Sequence, residues 1–305
     1  MTMKKEQENS LGKRIIRAKW IYLALAPCLG FICVFMVLPF LQAIMMSFTD
    51  WKMSNFSAPK FVGLQNFIEI FQDQLFWKSI GNMLIFVAWG FVTTMFVMMP
   101  VTYLVYKLGE GRIGRFIQRG YIIPMMVPAM VITLFWKFFY EPNFGMLNNI
   151  MIMIGKEEWV RVWLGEQGSA LLSLLFMGFP WVGGFGFLIL LAGFQSVDTA
   201  LHESAIIDGA NALKIFTRID IPLIIPQLKV LIMLGMINGI QQYTNQMIMT
   251  DGGPNYATYV PGLMMYKNAF TYGKLGYGSA IGVILFGMIL SFTIVANFKI
   301  KKVDS

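Results

Sequence analysis

The sequence predicts an all-α integral membrane protein with six transmembrane helices. Of its 305 residues, 57% are hydrophobic and only 13% are charged, whereas ordinary soluble domains carry about 25% charged residues. Six apolar runs also approach the roughly 20 residues that a helix needs to cross a bilayer. These runs are 20–40, 81–106, 121–140, 169–193, 226–248 and 279–298. The composition therefore excludes a soluble protein with one large core.

The first apolar run is expected to be a retained transmembrane helix. It follows a basic tail, residues 1–19, and it is too long for the core of a signal peptide and lacks a small-residue cleavage site. The helix can continue past Pro39 to Phe48. A loop then precedes a short helix over residues 66–76, which is expected to lie along the outer face.

The second, third and fourth spans are interrupted by helix-breaking and small residues. Prolines and glycines of this kind predict kinks and close helix crossings, and both are commoner in membrane helices than in soluble ones. They are Pro100, Pro124, Gly178, Pro128, Pro180, Gly183, Gly184 and Gly186.

A polar segment over residues 198–226 separates the fourth span from the fifth. Asp198 is a suitable N-cap for a short helix, since its carboxylate can accept hydrogen bonds from the first free amides. Asp208-Gly209 predicts the end of that helix, because glycine adopts the left-handed conformation without steric cost. A second helix is expected to end at Pro222 and Pro226.

The fifth span is apolar up to Ile237 and then becomes rich in amides. That many amides at membrane depth are costly unless they face partners or a water-filled cavity. Amides and tyrosine hydroxyls suit sugar hydroxyls, because they donate and accept hydrogen bonds without a net charge. Hydrogen bonds between helices are the alternative explanation. The residues concerned are Asn238, Gln241, Gln242, Tyr243 and Asn245.

Loop charges predict the orientation. The N-terminal tail, the 107–119 and 195–225 loops and the 299–305 tail hold most of the Lys and Arg, while the 141–168 loop is acidic. The positive-inside rule therefore places both termini and the 195–225 loop in the cytoplasm. Anionic lipid and insertion topology account for the net charge of +8, and no nucleic-acid partner is expected.

The polar segment resembles the EAA loop of ABC importer permeases. Glu203-Ser204-Ala205, Gly209 and Ile219-x-Ile221-Pro222 have its spacing, with mild departures at Ser204 and Ile221. Segments 47–51 (SFTDW), 61–67 (FVGLQNF) and 250–258 (TDGGPNYAT) are also similar to the carbohydrate importers of the maltose and glycerol-3-phosphate type. The alternative is an amphipathic loop that only lies on the membrane surface.

The resemblance implies a type I permease (MetI-like) fold over residues 20–298, with its core at about 77–298 and cytoplasmic tails at 1–19 and 299–305. In this family the loop is the cytoplasmic coupling helix, which docks on the ATPase. The coupling residues would be Glu203, Ser204, Ala205, Asp208, Gly209, Ala210, Ile219 and Pro222. The lone histidine, His202, is interpreted as a solvated residue of that interface.

The resemblance also implies the function and the partners. The chain would carry a sugar, an oligosaccharide or a related polyol together with a second permease subunit, two ATP-binding subunits and an extracytoplasmic binding protein. No Walker A motif occurs in the sequence, so the ATP-binding subunits would hydrolyse ATP and no enzymatic activity, cofactor or metal is expected here.

The family's translocation path runs along the fourth and fifth spans. Besides the amide-rich residues, it would include Trp181 and Phe185, which are one helical turn apart; plain packing is their alternative role. The alternative function is an ion-coupled secondary transporter or channel, but such a protein would need intramembrane Asp, Glu or Arg.

Overall fold

The computed structural model describes residues 19–55, 59–109, 111–180 and 183–299. Within these ranges the chain is helical, with no strand and one isolated bridge between Thr49 and Phe61. The predicted all-α class is confirmed. The predicted tails lie outside the described residues, except for Lys19 and Lys299.

The described residues of the first half of the chain form eight α-helices. They are α1 (Lys19–Ile32), α2 (Leu38–Ser47), α3 (Gln65–Gln72), α4 (Gln74–Thr93), α5 (Met99–Leu108), α6 (Arg112–Ile122), α7 (Ala129–Phe139) and α8 (Met146–Met153).

The second half adds α9 (Gln167–Leu175), α10 (Gly184–Gln195), α11 (Thr199–Ile207), α12 (Ala212–Ile215), α13 (Ile221–Leu223), α14 (Ile225–Gln241), α15 (Thr244–Thr250), α16 (Pro261–Tyr266) and α17 (Leu275–Lys299). Helix α16 lies between the fifth and sixth predicted spans, where the sequence predicted no helix.

Among the residues that the structure describes, three continuous helices are long and apolar enough to cross a membrane: Lys19–Ser47, Gln74–Leu108 and Leu275–Phe298. The number reaches six if each of three bent helix pairs is taken as one span. The bends are 98° between Arg112–Met126 and Ala129–Phe139, 63° between Gly184–Gln195 and Thr199–Ile207, and 67° between Ala212–Leu223 and Ile225–Gln241.

Three of the predicted spans are therefore not single straight helices. The 121–140 span breaks at Val127, whose ψ is 132°, because the ring of Pro128 disfavours the helical conformation of the preceding residue. The 169–193 span breaks between α9 and α10, where Gly178 and Gly183 have positive φ. The 226–248 span breaks between α14 and α15.

Three prolines inside long helices are accommodated by π-turns rather than by helix ends. Pro39, Pro100 and Pro222 each follow a π-turn, namely Cys33–Val37, Thr94–Met98 and Phe216–Asp220. A proline lacks the N–H group and its ring clashes with the carbonyl four residues earlier, and the extra residue of a π-turn relieves that clash. The helix that contains Pro222 nevertheless ends at Leu223, between the two prolines that were predicted to stop it.

The helices pack into two main cores. The larger contains Ile70, Phe76, Met83, Ile240 and Leu263 and joins α3, α4, α14, α16 and α17. The smaller surrounds Leu190, Phe194, Ile224 and Leu228 and joins α10 to the start of α14. The break between α14 and α15 adjoins the larger core, whereas the polar 198–226 segment adjoins the smaller one.

Gly276 fixes the close approach of α17 to the end of α2, and Gly276→Ala should lower thermal stability. A Cβ atom there would overlap the backbone carbonyl oxygen of Thr49, and overpacking of this kind typically costs about 1–3 kcal/mol. Gly287→Ala in the same helix is the control, because a Cβ atom there meets nothing within 4 Å. The melting temperature in detergent should fall for the first variant only. Equal melting temperatures for both variants would contradict the prediction.

Candidate translocation cavity and coupling helix

The amide-rich part of the fifth predicted span forms a helix break. Helix α14 ends at Gln241, the amide of Gln242 still donates to the carbonyl of Asn238 at 2.8 Å, and Gln242 then turns extended with ψ 125°. Helix α15 restarts at Thr244. Non-helical backbone at membrane depth is tolerated where it is buried in protein or lines a water-filled cavity. The break therefore indicates a polar cavity.

A cavity of about 560 Å³ lies at this break, within the roughly 300–1,000 Å³ of ordinary ligand sites. Four of the predicted path residues line it, together with two apolar side chains, a glycine and a further amide. The lining residues are Asn238, Gln241, Gln242, Asn245, Phe86, Leu174, Gly239 and Gln246. Helices α4, α9, α14 and α15 thus meet around a surface rich in uncharged amides.

Most of these amides are not used to hold helices together. The side chains of Asn238, Gln241 and Gln242 make no hydrogen bond to any residue that the structure describes. Asn245 is the exception, since its Oδ1 accepts from the Thr133 hydroxyl at 2.8 Å. The alternative of interhelical hydrogen bonding therefore applies to Asn245 and leaves the other three amides available to a solute.

Gln246 was not predicted as a site residue, although it belongs to the same amide run. Its side chain is 2% exposed, and its Oε1 has no hydrogen-bond partner in the described part of the chain. A buried acceptor without a donor costs free energy, so a donor arriving in the cavity would be stabilised there. The density of amides over 238–246 was the available signal for this residue.

The two predicted aromatic residues that the structure describes, Phe185 and Tyr243, do not line this cavity. Trp181 lies outside the described residues, and the exposed Phe185 is not part of the lining. The ring of Tyr243 instead stacks on Tyr266, with 5.5 Å between ring centroids. The roles of Trp181, Phe185 and Tyr243 in the path stay predictions.

A different aromatic cluster adjoins the cavity. The ring centroids of Trp89 and Phe176 are 4.7 Å apart, and those of Phe176 and Phe179 are 5.6 Å apart. Trp89 follows the lining residue Phe86 by one helical turn, and Phe176 closely follows Leu174. The sequence could not reveal this cluster, because α4 and the end of α9 come together only in the fold.

The polar segment contains the predicted short helix, α11. The Asp198 carboxylate accepts from the amide of Ala200 at 2.9 Å, and Gly209 has φ 76°. Both local predictions are confirmed. Asn211 caps the following helix by accepting from the amide of Lys214 at 2.9 Å.

The predicted coupling residues divide by exposure. Glu203, Ser204, Asp208 and Gly209 are exposed, whereas Ala205, Ala210, Ile219 and Pro222 are partly buried. Ile206 and Ile207 are 63% and 85% exposed, which gives α11 an apolar surface at its end. Exposed apolar surface of this kind is typical of a contact with another protein or with the membrane surface. Docking on an ATPase stays a prediction.

His202 is not the solvated residue that the sequence suggested. Its Nε2 lies 2.7 Å from Oδ1 of Asp220, and the two side chains are 12% and 0% exposed. Asp220 follows His202 by 18 positions and belongs to the π-turn before Pro222. Asp220 could not be predicted from the sequence, because nothing in a local pattern distinguishes a buried aspartate from a solvated one.

The 141–168 loop carries the charge features expected of a solvated surface. Glu141 accepts from the backbone amides of Phe144 and Asn143, both at 2.7 Å, and these hydrogen bonds lower the pKa of its carboxyl group. Among the described residues, no three His, Cys, Asp or Glu side chains are grouped so that they could hold a metal ion.

Comparisons with known proteins agree with this architecture. The chain is 31% identical over 291 residues to the trehalose/maltose transport system permease protein MalF of Thermococcus litoralis, which covers 94% of this chain and 96% of that protein. It is 28% identical to the sn-glycerol-3-phosphate transport system permease protein UgpA of Salmonella typhimurium, with coverage of 94% and 96%.

The fold is similar to a chain in the crystal structure of a bacterial ABC transporter involved in the import of the acidic polysaccharide alginate. The TM-score is 0.81 at 22% identity, with 97% of this chain and 99% of that chain covered. The family model "Binding-protein-dependent transport system inner membrane component" matches residues 99–304. The predicted permease fold is confirmed, and this chain belongs to the family of inner membrane components of binding-protein-dependent transport systems.

Proposed function

We propose that this chain is the permease subunit of an ATP-driven importer for a sugar, an oligosaccharide or a related polyol delivered by an extracytoplasmic binding protein. The observation that carries the proposal is the cavity of about 560 Å³ lined by uncharged amides at the helix break. The names of relatives support it, since they include permeases for trehalose and maltose, diacetylchitobiose and glycerol-3-phosphate.

The chemistry of the lining favours an uncharged solute. Each carboxamide offers two donors and an acceptor, which matches the mixed donors and acceptors of sugar hydroxyls. Phe86 and Leu174 offer apolar surface for the faces of a sugar ring. The described lining contains no Lys or Arg, and a phosphorylated or acidic solute would favour such a cation. A neutral sugar is therefore the solute class that the lining suits best.

The polar segment 198–226, called the coupling segment from here on, supports the proposed partners. Helix α11 is short, has an exposed apolar end at Ile206 and Ile207, and is bounded by Asp198 and Gly209. We assign it to contact with one of two ATP-binding subunits, while a second permease subunit completes the pathway. The charge distribution supports a multi-pass arrangement in the cell membrane with the tails 1–19 and 299–305 and this segment in the cytoplasm.

The alternative is an ion-coupled secondary transporter or a channel. A transport assay separates the importer from the ion-coupled alternative. It measures uptake of labelled maltose, trehalose and sn-glycerol-3-phosphate by proteoliposomes that contain the complete transporter and its binding protein. We expect uptake of a neutral sugar to require ATP and to stop when the partner ATPase lacks its catalytic carboxylate. Collapse of proton and sodium gradients by ionophores should have no effect. Uptake that persists with the inactive ATPase, or stops with the ionophores, would contradict the proposal.

A further inference from the structure

A polar link joins α11 to the start of the fifth span. The His202 ring and the Asp220 carboxylate are 2.7 Å apart, and Asp220 is completely buried. The rest of α11 is weakly held, because its other residues are exposed apart from the half-buried Ala205. A buried carboxylate without a partner is strongly destabilising, so the contact between His202 and Asp220 constrains where α11 can lie.

The same carboxylate has an unused oxygen. Oδ2 of Asp220 and the hydroxyl of Tyr103 are both buried, and neither completes a hydrogen bond to any described residue. Tyr103 packs on Phe216, which lies one helical turn before Asp220 in the same π-turn. A buried donor and a buried acceptor, both without partners among the described residues, therefore lie in the same part of the fold.

Tyr103 connects this link to the second span. It belongs to α5, and its ring lies 4.3 Å from that of Phe216 and 5.3 Å from that of Phe194, measured between centroids. Phe216 precedes Asp220 in the same π-turn, and Phe194 belongs to α10. The chain of contacts from α11 thus reaches the second, fourth and fifth spans.

We propose that His202 and Asp220 are a positioning pair that transmits the displacement of α11 to the membrane helices, and that the Tyr103 hydroxyl bonds to Asp220 Oδ2 in the displaced state. The inference rests on the proposed function, since it presumes that an ATPase moves α11. A ligand or partner shifts an equilibrium only through contacts that differ between two states. The unused donor and acceptor provide such a difference.

The test measures the position of α11 without any solute. The complete transporter, with both permeases and the ATP-binding subunits, is reconstituted in lipid nanodiscs after Cys28 and Cys33 are replaced by serine. Nitroxide labels are placed at the exposed positions Thr199 and Phe116. Electron-spin distance distributions are recorded with and without ADP-vanadate, and ATP hydrolysis is measured in the absence of solute.

His202→Ala should broaden the distance distribution, reduce the vanadate-dependent shift and raise solute-free hydrolysis roughly fivefold or more, the lower end of usual allosteric couplings. His202→Gln retains a donor and should stay close to the unmodified protein. Tyr103→Phe should leave the resting distance unchanged and reduce only the shift.

The inference is overturned if His202→Ala keeps a narrow distribution, a full shift and low hydrolysis in an intact complex, or if His202→Gln is as disruptive as His202→Ala. If His202→Ala fails to assemble, Tyr103→Phe decides, and an undiminished shift in that variant overturns the role of the free oxygen. Gly209→Val separates this inference from the proposed function. If Gly209→Val transports normally, the coupling role of the 198–226 segment is contradicted. If Gly209→Val impairs transport but His202→Ala behaves normally, only the role of the His202–Asp220 pair is contradicted.

Discussion

Gly209→Val should abolish coupled transport while the protein still inserts into the membrane. Gly209 has φ 76°, and a Cβ atom there would meet nothing within 4 Å. The cost is therefore conformational, because an L-residue in the left-handed region costs about 1–2 kcal/mol and a β-branched residue is an outlier there. Relief of that strain requires the turn after α11 to rearrange. That rearrangement would reorient the exposed apolar end of α11.

The size of this effect follows from the usual strength of coupling between sites. Allosteric couplings are typically about 1–3 kcal/mol, so backbone strain of about 1–2 kcal/mol at Gly209 is comparable to the whole coupling free energy. The bulk of valine would also hold the docked surface away from the ATPase. We expect uptake to fall at least about tenfold, with loosened attachment of the ATPase or hydrolysis that no longer depends on solute.

Gly155→Val is the matched control for Gly209→Val. Gly155 has φ 71° and is equally open, but it lies in the 141–168 loop. Its substitution adds the same backbone strain away from the coupling segment and should leave uptake near normal. Glu203→Ala should be milder than Gly209→Val, because it removes a charge without adding bulk. Normal ATPase binding and normal uptake in Gly209→Val would show that this loop does not couple the subunits.

Gln242→Leu should lower transport of the native solute without affecting assembly. Gln242 lies at the helix break and lines the cavity, and no described residue takes its side-chain hydrogen bonds. Leucine has a similar size but leaves a solute hydroxyl unpaired, which costs about 1–3 kcal/mol. Because each 1.4 kcal/mol is a tenfold change, uptake at low solute concentration should fall by roughly five- to 150-fold.

Gln72→Leu is the control for this substitution, since Gln72 is exposed at the end of α3 and far from the amide run in the sequence. Uptake and the amount of assembled complex should both be normal in that variant. Asn238→Leu and Gln241→Leu should resemble Gln242→Leu. Tyr243→Leu should act mainly through lost packing on Tyr266. Unchanged uptake in all four variants would exclude this region as the solute path.

The sequence by itself determined the features that depend on short stretches of chain. The abundance of apolar residues established a membrane protein, because span length is a local property. The start of α11 at Asp198 and its end before Gly209 could also be predicted, since an N-cap and a left-handed glycine act within one or two residues. The amides Asn238, Gln241 and Gln242 were recognisable as unusual at membrane depth.

Only the tertiary structure decided how these parts meet. No proline or glycine lies between Gln241 and the restart of the helix as α15, and Gln241 itself lines the cavity. Phe86 and Leu174 join the cavity from helices distant in sequence. Asp220 differs from a solvated aspartate only through its burial beside His202. Burial and side-chain partners are long-range properties, so local pattern could predict which residues were polar but not which of them would face each other.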